Sequence, residues 1–200
     1  MLADRVSLGM SEATVIDQSR DGRVQRFHEQ ILPHLTPLYR AALRLVSTSA
    51  DAEDLVQETC LRAFQALDQL KDPAAAKAWV FAVLRSVSLR HFEREAGSVV
   101  APVELSEARP LPQAPFFTNA AADSPLQRAL IEEVRAATLR LPRPYREAIV
   151  MAHVAGFSYR EMSQILEIPV GTVMSRLFRA RRMLRDALSD TAPAPSKLVS

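Results

Sequence analysis

Five arginines stand within ten residues near the end of this chain: Arg176, Arg179, Arg181, Arg182 and Arg185, inside the stretch SYREMSQILEIPVGTVMSRLFRARRMLR. Guanidinium groups suit bidentate contacts to phosphate and to guanine edges. On a helix at 100° per residue, Val173, Leu177, Ala180 and Leu184 form one apolar stripe. Gly171, Ser175, Phe178 and Arg182 fall on the opposite stripe, with Met174 and Arg179 beside it. A helix apolar on one side and small, polar or cationic on the other is shaped to enter the DNA major groove. The plain alternative is a helical hairpin whose arginine face is only solvated. Against it, the only acid close to the five arginines is Asp186, so that face does not balance its charge.

Asp51 to Ala66, DAEDLVQETCLRAFQA, carries a second pattern. As a helix it sets Asp51, Asp54, Glu58 and Gln65 on one face, and Val56, Cys60, Ala63, Phe64 and Leu67 on the other. Carboxylates early in a helix complement its positive N-terminal end, which accounts for Asp51 and Asp54 but less well for Glu58, two turns in. Spacing alone leaves solvation and docking to a basic protein surface equally open.

Helical periodicity dominates the 200 residues, only five of them glycine, and predicts an all-α protein. Residues 1–23 read as a loose N-terminal extension, 24–96 as a first helical domain, 97–124 as a linker, 125–188 as a second helical domain and 189–200 as a tail. Phe27, Ile31, Leu35, Leu38, Ala42, Leu45 and Val46 give the first apolar stripe, with Pro33 and Pro37 near the helix start. A second helix follows Ser49 or Asp51, and a third runs from about Pro73 to Arg94. Pro102, Pro110, Pro112, Pro115 and Pro125 break up the linker, whose one large apolar pair is Phe116 and Phe117. Ser124 and Pro125 then signal a helix start, with Leu126, Leu130, Val134, Ala137 and Leu141 as its stripe. Ser158 with Glu161 three residues on makes a capping box, and Pro169 opens the arginine helix. The second domain therefore ends in a helix-turn-helix, in which Ser163 is small enough to let its two helices approach.

The formal net charge is only +2, but from Leu126 to Leu188 eleven arginines oppose six acids, leaving +5. A basic C-terminal half points to a polyanionic partner. The single cysteine, Cys60, excludes an internal disulfide and a cysteine-rich zinc site, and reads as a buried structural thiol. His28, His34, His91 and His153 are scattered; no glycine-rich phosphate loop or paired-carboxylate metal site occurs, so neither catalytic residue, metal nor cofactor is expected. No run approaches the roughly 18 apolar residues of a membrane span, and the charged first 23 residues do not read as a signal peptide; a cytoplasmic protein is expected.

DAEDLVQETCLRAF, the tryptophan of KAWVFAVLR, and GFSYREMSQILEIPVGTVMSRLFRARRMLR together resemble the extracytoplasmic-function (ECF) sigma factors of the sigma-70 family. The resemblance runs from about Phe27 to Leu188, the linker excluded. It implies a sigma factor that recruits core RNA polymerase, through the β′ clamp helices and the β flap, to particular promoters. Asp51, Asp54, Gln57 and Glu58 would lie in the polymerase-docking motif, which tips that ridge towards docking. Lys71, Lys77, Trp79, Arg85, Ser86 and Arg90 would capture the unpaired −10 strand, with Trp79 also readable as a core residue anchoring two helices. The −35 duplex would be read by Gly171, Met174, Ser175, Phe178, Arg179 and Arg182. Arg176 and Arg181 would hold phosphates, with Thr172 and Gly171 offering backbone N–H groups. An anti-sigma partner is common in the family.

Four positions depart from the family pattern. Met174 stands where a base is common and Ser86 where asparagine is frequent, which blurs the promoter sequence. Ser163 and Glu167 replace the alanine and glycine frequent in the turn, and Glu167 is costly if its backbone is left-handed. Two rival readings remain: a stand-alone helix-turn-helix regulator, which would bind DNA tightly without polymerase, and a nucleic-acid enzyme that uses the motif for targeting. The missing acidic metal cluster counts against the second.

Overall fold

Eight helices carry the structure, a computed structural model that describes residues 21–96 and 124–189. α1 spans 21–30 and reaches a 3-10 turn at Leu32–His34. α2 (Leu35–Leu45), α3 (Ser49–Gln65) and α4 (Ala76–Ala96) complete the N-terminal half. α5 (Pro125–Arg140), α6 (Arg143–Ile149), α7 (Tyr159–Leu166) and α8 (Val170–Ser189) form the C-terminal half. No strand occurs among the described residues, as the helical periodicity predicts. Residues 21–23, expected in the extension, are already helical; Phe116 and Phe117 lie outside the described residues.

Local chemistry sets the helix ends. Thr48, not Ser49 or Asp51, caps α3: its hydroxyl accepts from the Asp51 N–H at 3.1 Å and donates to the Asp51 carboxylate at 2.5 Å. Ser124 and Gln127 form a capping box on α5, as Ser158 and Glu161 do on α7. The hydrogen bonds from Ser158 hold the Glu161 carboxyl below its ordinary pKa. α6 runs on as a single π-helical segment, Val150–Val154, and Gly156 ends it at φ 71°, where glycine alone is unstrained.

The N-terminal core gathers Ile31, Leu38, Leu45, Leu67, Phe81 and Leu84, each at most 1% exposed. α3 buries Ala52, Leu55, Thr59 and Ala63, so its inner face lies about one position away from the expected Val56–Cys60 line, and the Cys60 thiol is only half-buried. In the C-terminal half Ile149, Met151, Met162, Leu166, Val173 and Leu177 are buried together. The stripe of α5 departs from expectation: Leu126 and Leu130 are 80% and 56% exposed, and burial begins only at Ala137.

The two halves also pack against each other. The Phe157 and Phe81 rings meet edge to face at 5.0 Å, and burying an aromatic side chain of that size contributes about 1.5–3 kcal/mol. Arg146 donates to the Leu45 carbonyl at 2.7 Å and to the Leu141 carbonyl at 3.2 Å. Arg135 reaches the Leu43 and Ser47 carbonyls, so both arginines sit against the negative C-terminal end of α2. The Phe92 ring of α4 lies under the guanidiniums of Arg143 and Arg146.

Candidate nucleic-acid interface

α7 and α8 form the helix-turn-helix. Ser163 does more than allow close approach: its hydroxyl donates to the Ile168 carbonyl at 2.6 Å while its own carbonyl accepts from the Ile168 N–H at 3.1 Å. Those two bonds close the turn on itself. Glu167 adopts φ 55°, ψ 43°, the left-handed conformation that makes a non-glycine residue costly there. Pro169 then accepts at its carbonyl from Thr172 and Val173, starting α8.

On α8 the predicted inner stripe is buried throughout: Val173, Leu177, Ala180 and Leu184 are at most 8% exposed. Gly171 and Arg182 lie exposed, and Thr172, Met174, Phe178 and Arg179 are half-buried along the same side. Two residues proposed for DNA are instead interior. Ser175 is 7% exposed and donates its hydroxyl to the Thr172 carbonyl at 3.0 Å, a helix-internal bond. Arg181 is 8% exposed and lies against His153, Nε to Nε2 at 3.4 Å, so its guanidinium faces the domain rather than a phosphate path. Burial first, and the Arg181 charge second, push the His153 pKa down to about 4. His153 is therefore neutral, with Nε2 as acceptor. Arg176 is half-buried near Glu147 and Arg85, and desolvation lowers its pKa.

α3 and α4 build the other surface. Asp54 and Gln57 are exposed, Glu58 is half-exposed and pairs with Arg62, and these side chains border a groove with Leu61, Arg90 and His91. Asp51, proposed with them, is engaged at the Thr48 cap. A neighbouring groove is lined by Leu61, Gln65, Trp79, Val83, Ser86 and Arg90. Trp79 is half-buried, packed on the core with one side towards this groove. The remaining proposed strand contacts lie elsewhere. Lys71 is exposed before α4 begins, whereas Lys77 and Arg85 face the C-terminal half. At 100° per residue Lys77, Phe81 and Arg85 share one side of α4, and Trp79, Ser86 and Arg90 the other.

Sequence reasoning missed Glu147, Phe157 and Phe92 altogether. Their partners are distant in sequence, and nothing local marks them. Among the described residues no group of three or more His, Cys, Asp or Glu is placed to hold a metal, and no helix is long and apolar enough to cross a membrane.

The arginine-edged helix-turn-helix of the C-terminal half has the form of a DNA-binding module, and the N-terminal half opens a groove of mixed charge, Asp54 and Glu58 beside Arg62 and Arg90. The comparisons make this specific. Residues 31–97 match the sigma-70 region 2 family and residues 131–184 match sigma-70, region 4. The chain is 34% identical over 156 residues to the ECF RNA polymerase sigma factor EcfG of Rhodopseudomonas palustris, covering 78% of this chain and 81% of that one. It is 37% identical over 161 residues to the ECF RNA polymerase sigma factor SigL of Mycobacterium tuberculosis, covering 78% and 85%. Among solved structures it is similar to the sigma factor RpoE of Bartonella quintana, solved with the anti-sigma factor NepR, at a TM-score of 0.60 and 28% identity over 83% of this chain and 98% of that one. The chain belongs to the ECF group of the sigma-70 family and is an alternative sigma factor of transcription initiation.

Proposed function

We propose that the chain divides initiation between its halves: the groove of α3 and α4 docks on core RNA polymerase and takes the melted −10 strand, while α8 reads the −35 duplex. Asp54 and Glu58 carry the docking charge, complementary to a basic helix surface on the polymerase, with Gln57 beside them. Trp79, Ser86 and Arg90 line the groove that receives unpaired bases, where stacking and backbone contacts offset the cost of opening the duplex. Gly171, Met174, Phe178, Arg179 and Arg182 face the major groove, and Thr172 at the start of α8 brings its N-terminal end to a phosphate. Lys71 adds a backbone contact before α4.

The observation that carries this reading is that the outward side of α8 bears Arg179 and Arg182 while its inner stripe of Val173, Leu177, Ala180 and Leu184 is buried. Bond making stays with the polymerase; the chain is a specificity subunit without an active site, working in the cytoplasm beside the chromosome. An anti-sigma factor is the fitting regulator, by analogy with the Bartonella protein. Reconstituted transcription tests the whole. Purified chain added to sigma-free core enzyme with a genomic promoter library should start transcription at a discrete set of promoters sharing a −35 and a −10 element. Absence of initiation from every template would end the reading.

A further inference from the structure

Two of the bases proposed for the −10 strand, Lys77 and Arg85, lie at the seam where the two halves meet. Lys71 is instead exposed in the connector of residues 66–75 between α3 and α4. That connector has no helical ladder beyond two 3-10 turns, Leu67–Gln69 and Pro73–Ala75. From beneath it is anchored by Leu67 and Leu70, 0% and 4% exposed. The Asp72 carboxylate accepts from the Ala74 N–H at 2.9 Å and starts the second turn. Gln69, at the end of the first turn, lines the groove that also holds Gln65, Trp79 and Ser86.

The outer hold on this connector comes from α1, which supplies no residue to the docking face or to the strand groove. The Arg26 guanidinium donates to the Leu67 and Leu70 carbonyls, each at 3.3 Å, and to the Asp68 carboxylate at 3.4 Å. Arg23, one turn earlier, pairs with the same carboxylate. Phe27 packs edge to face on Phe64 at 5.5 Å, which seats α1 on the end of α3. The Leu70 carbonyl belongs to the planar peptide that carries the Lys71 nitrogen, so a donor fixed on that oxygen fixes the direction in which Lys71 leaves the chain. The Leu67 carbonyl also accepts from the Leu70 N–H at 3.1 Å and closes the turn that bears Gln69. The side chains of Arg23, Arg26 and Asp68 are 39%, 41% and 63% exposed, and pairs as open as these add little to global stability. A planar fork across two carbonyls and a carboxylate defines a shape instead.

We propose that Arg26, supported by Arg23, is a positioning residue for capture of the −10 strand: by holding Asp68 and the Leu67 and Leu70 carbonyls, it sets Gln69 and Lys71 to meet a base and a phosphate beside Trp79. The Gln69 amide offers an acceptor and two donors to a base edge, and Lys71 offers a point charge to the backbone. Neither arginine touches DNA. The inference rests on the sigma-factor reading above and adds the support on which its −10 contacts depend.

The test is reconstituted transcription with core polymerase on promoters recovered from the genomic library, each with its −10 element intact or with one base changed. The ratio of the two rates measures −10 discrimination, which a loss of stability alone does not move. Arg26→Ala should lower that ratio about fivefold or more, fivefold being the low end of what one well-placed polar base contact supplies. Core-polymerase affinity, read by anisotropy, and the response to −35 changes should stay as in the wild type. Arg26→Lys keeps the charge but cannot fork across three acceptors, and should lose most of the same discrimination. Asp68→Ala, which frees both arginines, should lose it too. Both sites are at the surface, so circular dichroism should report a folded chain in each variant. A direct phosphate contact by Arg26 gives the reverse pattern, with discrimination kept by the lysine and promoter binding tightened by Asp68→Ala. That pattern, an unchanged ratio in Arg26→Ala, or an equal loss of −35 discrimination overturns the proposal. A wild-type chain that never initiates fails the sigma-factor reading instead.

Discussion

α8 and α4 are both basic helices assigned to DNA, and the structure treats them differently. α8 has one dry side and one wet side. Its four inner residues are buried, and Gly171, Phe178, Arg179 and Arg182 lie at least partly open on the other side. α4 is covered on more than one side: Val80, Phe81, Leu84, Val87 and Ser88 are buried, with α3 packed on it from within its own half and α7 from the other. Its bases are consequently split, Lys77 and Arg85 towards the seam and Arg90 towards the groove. α8 packs on α5, α6 and α7, all within its own half, and so shows its outer face through periodicity; α4, met by α7 from the other half as well, does not.

The largest effect expected tests the face that neither basic helix supplies. Reversing Asp54 and Glu58 together to lysine should weaken core-polymerase binding at least a hundredfold, since like charges set face to face cost several kcal/mol. Glu58→Lys also turns the Arg62 pair repulsive, but both sites are at the surface, so helical content by circular dichroism should be unchanged. Retained binding in a pull-down or anisotropy titration would return this ridge to ordinary solvation and leave α4 and α8 as the only functional surfaces.

Within α8 the sharpest contrast is between neighbours. Arg182→Ala should cost about 1–3 kcal/mol of −35 recognition, roughly five- to hundredfold in promoter-specific initiation, with thermal stability intact. Arg181→Ala should do the reverse. Its guanidinium is interior against His153, and truncation there should cost about 1–3 kcal/mol of stability, a Tm lower by several degrees. Equal effects of the two variants on both readouts would break the distinction between the wet and dry sides of this helix.

This pair also shows how far the sequence was legible. The all-α class, the cap at Ser124, the capping box at Ser158, the helix-turn-helix and the inner stripe of α8 all follow from local rules, because each depends on residues within one or two turns. Arg181 did not, since it lies on the flank of the apolar stripe, where small differences in helix packing decide burial. Ser175 did not either, since it stands opposite that stripe and its small side chain folds back onto the Thr172 carbonyl. The exposed Leu126 and Leu130 show the opposite failure: periodicity identifies an apolar side of α5 but cannot say how far along the helix its neighbours reach. Nothing local could have found Glu147 or Phe157 at the seam, whose partners Arg85 and Phe81 are more than sixty positions away.

The turn between α7 and α8 offers a smaller effect. Ser163→Ala removes the hydroxyl donor to the Ile168 carbonyl while sparing the backbone bond between the same residues. A loss of about 1 kcal/mol is expected in denaturant unfolding, with −35 recognition reduced only as the turn loosens. A larger loss of recognition than of stability would mean that Ser163 aims α8 as well as closing the turn.

The last prediction concerns the dry side of α8 and acid. His153 is held neutral with its pKa lowered to about 4 from 6.5, by burial and then by Arg181. Between those two values the unfolded chain binds a proton that the folded chain refuses. Folding stability from this group is therefore complete above pH 6.5 and declines as the pH falls towards 4. Below that, the folded form takes the proton too, placing a cation against Arg181 in the interior. His153→Gln, which keeps a hydrogen-bond acceptor but does not titrate, should flatten Tm against pH across this window. Arg182→Ala, on the wet side one residue beyond Arg181, should leave the slope as it is. If the histidine variant kept the full acid sensitivity, the titrating group would lie outside the α8 interior, and the dry side of the helix would owe nothing to the protonation state of His153.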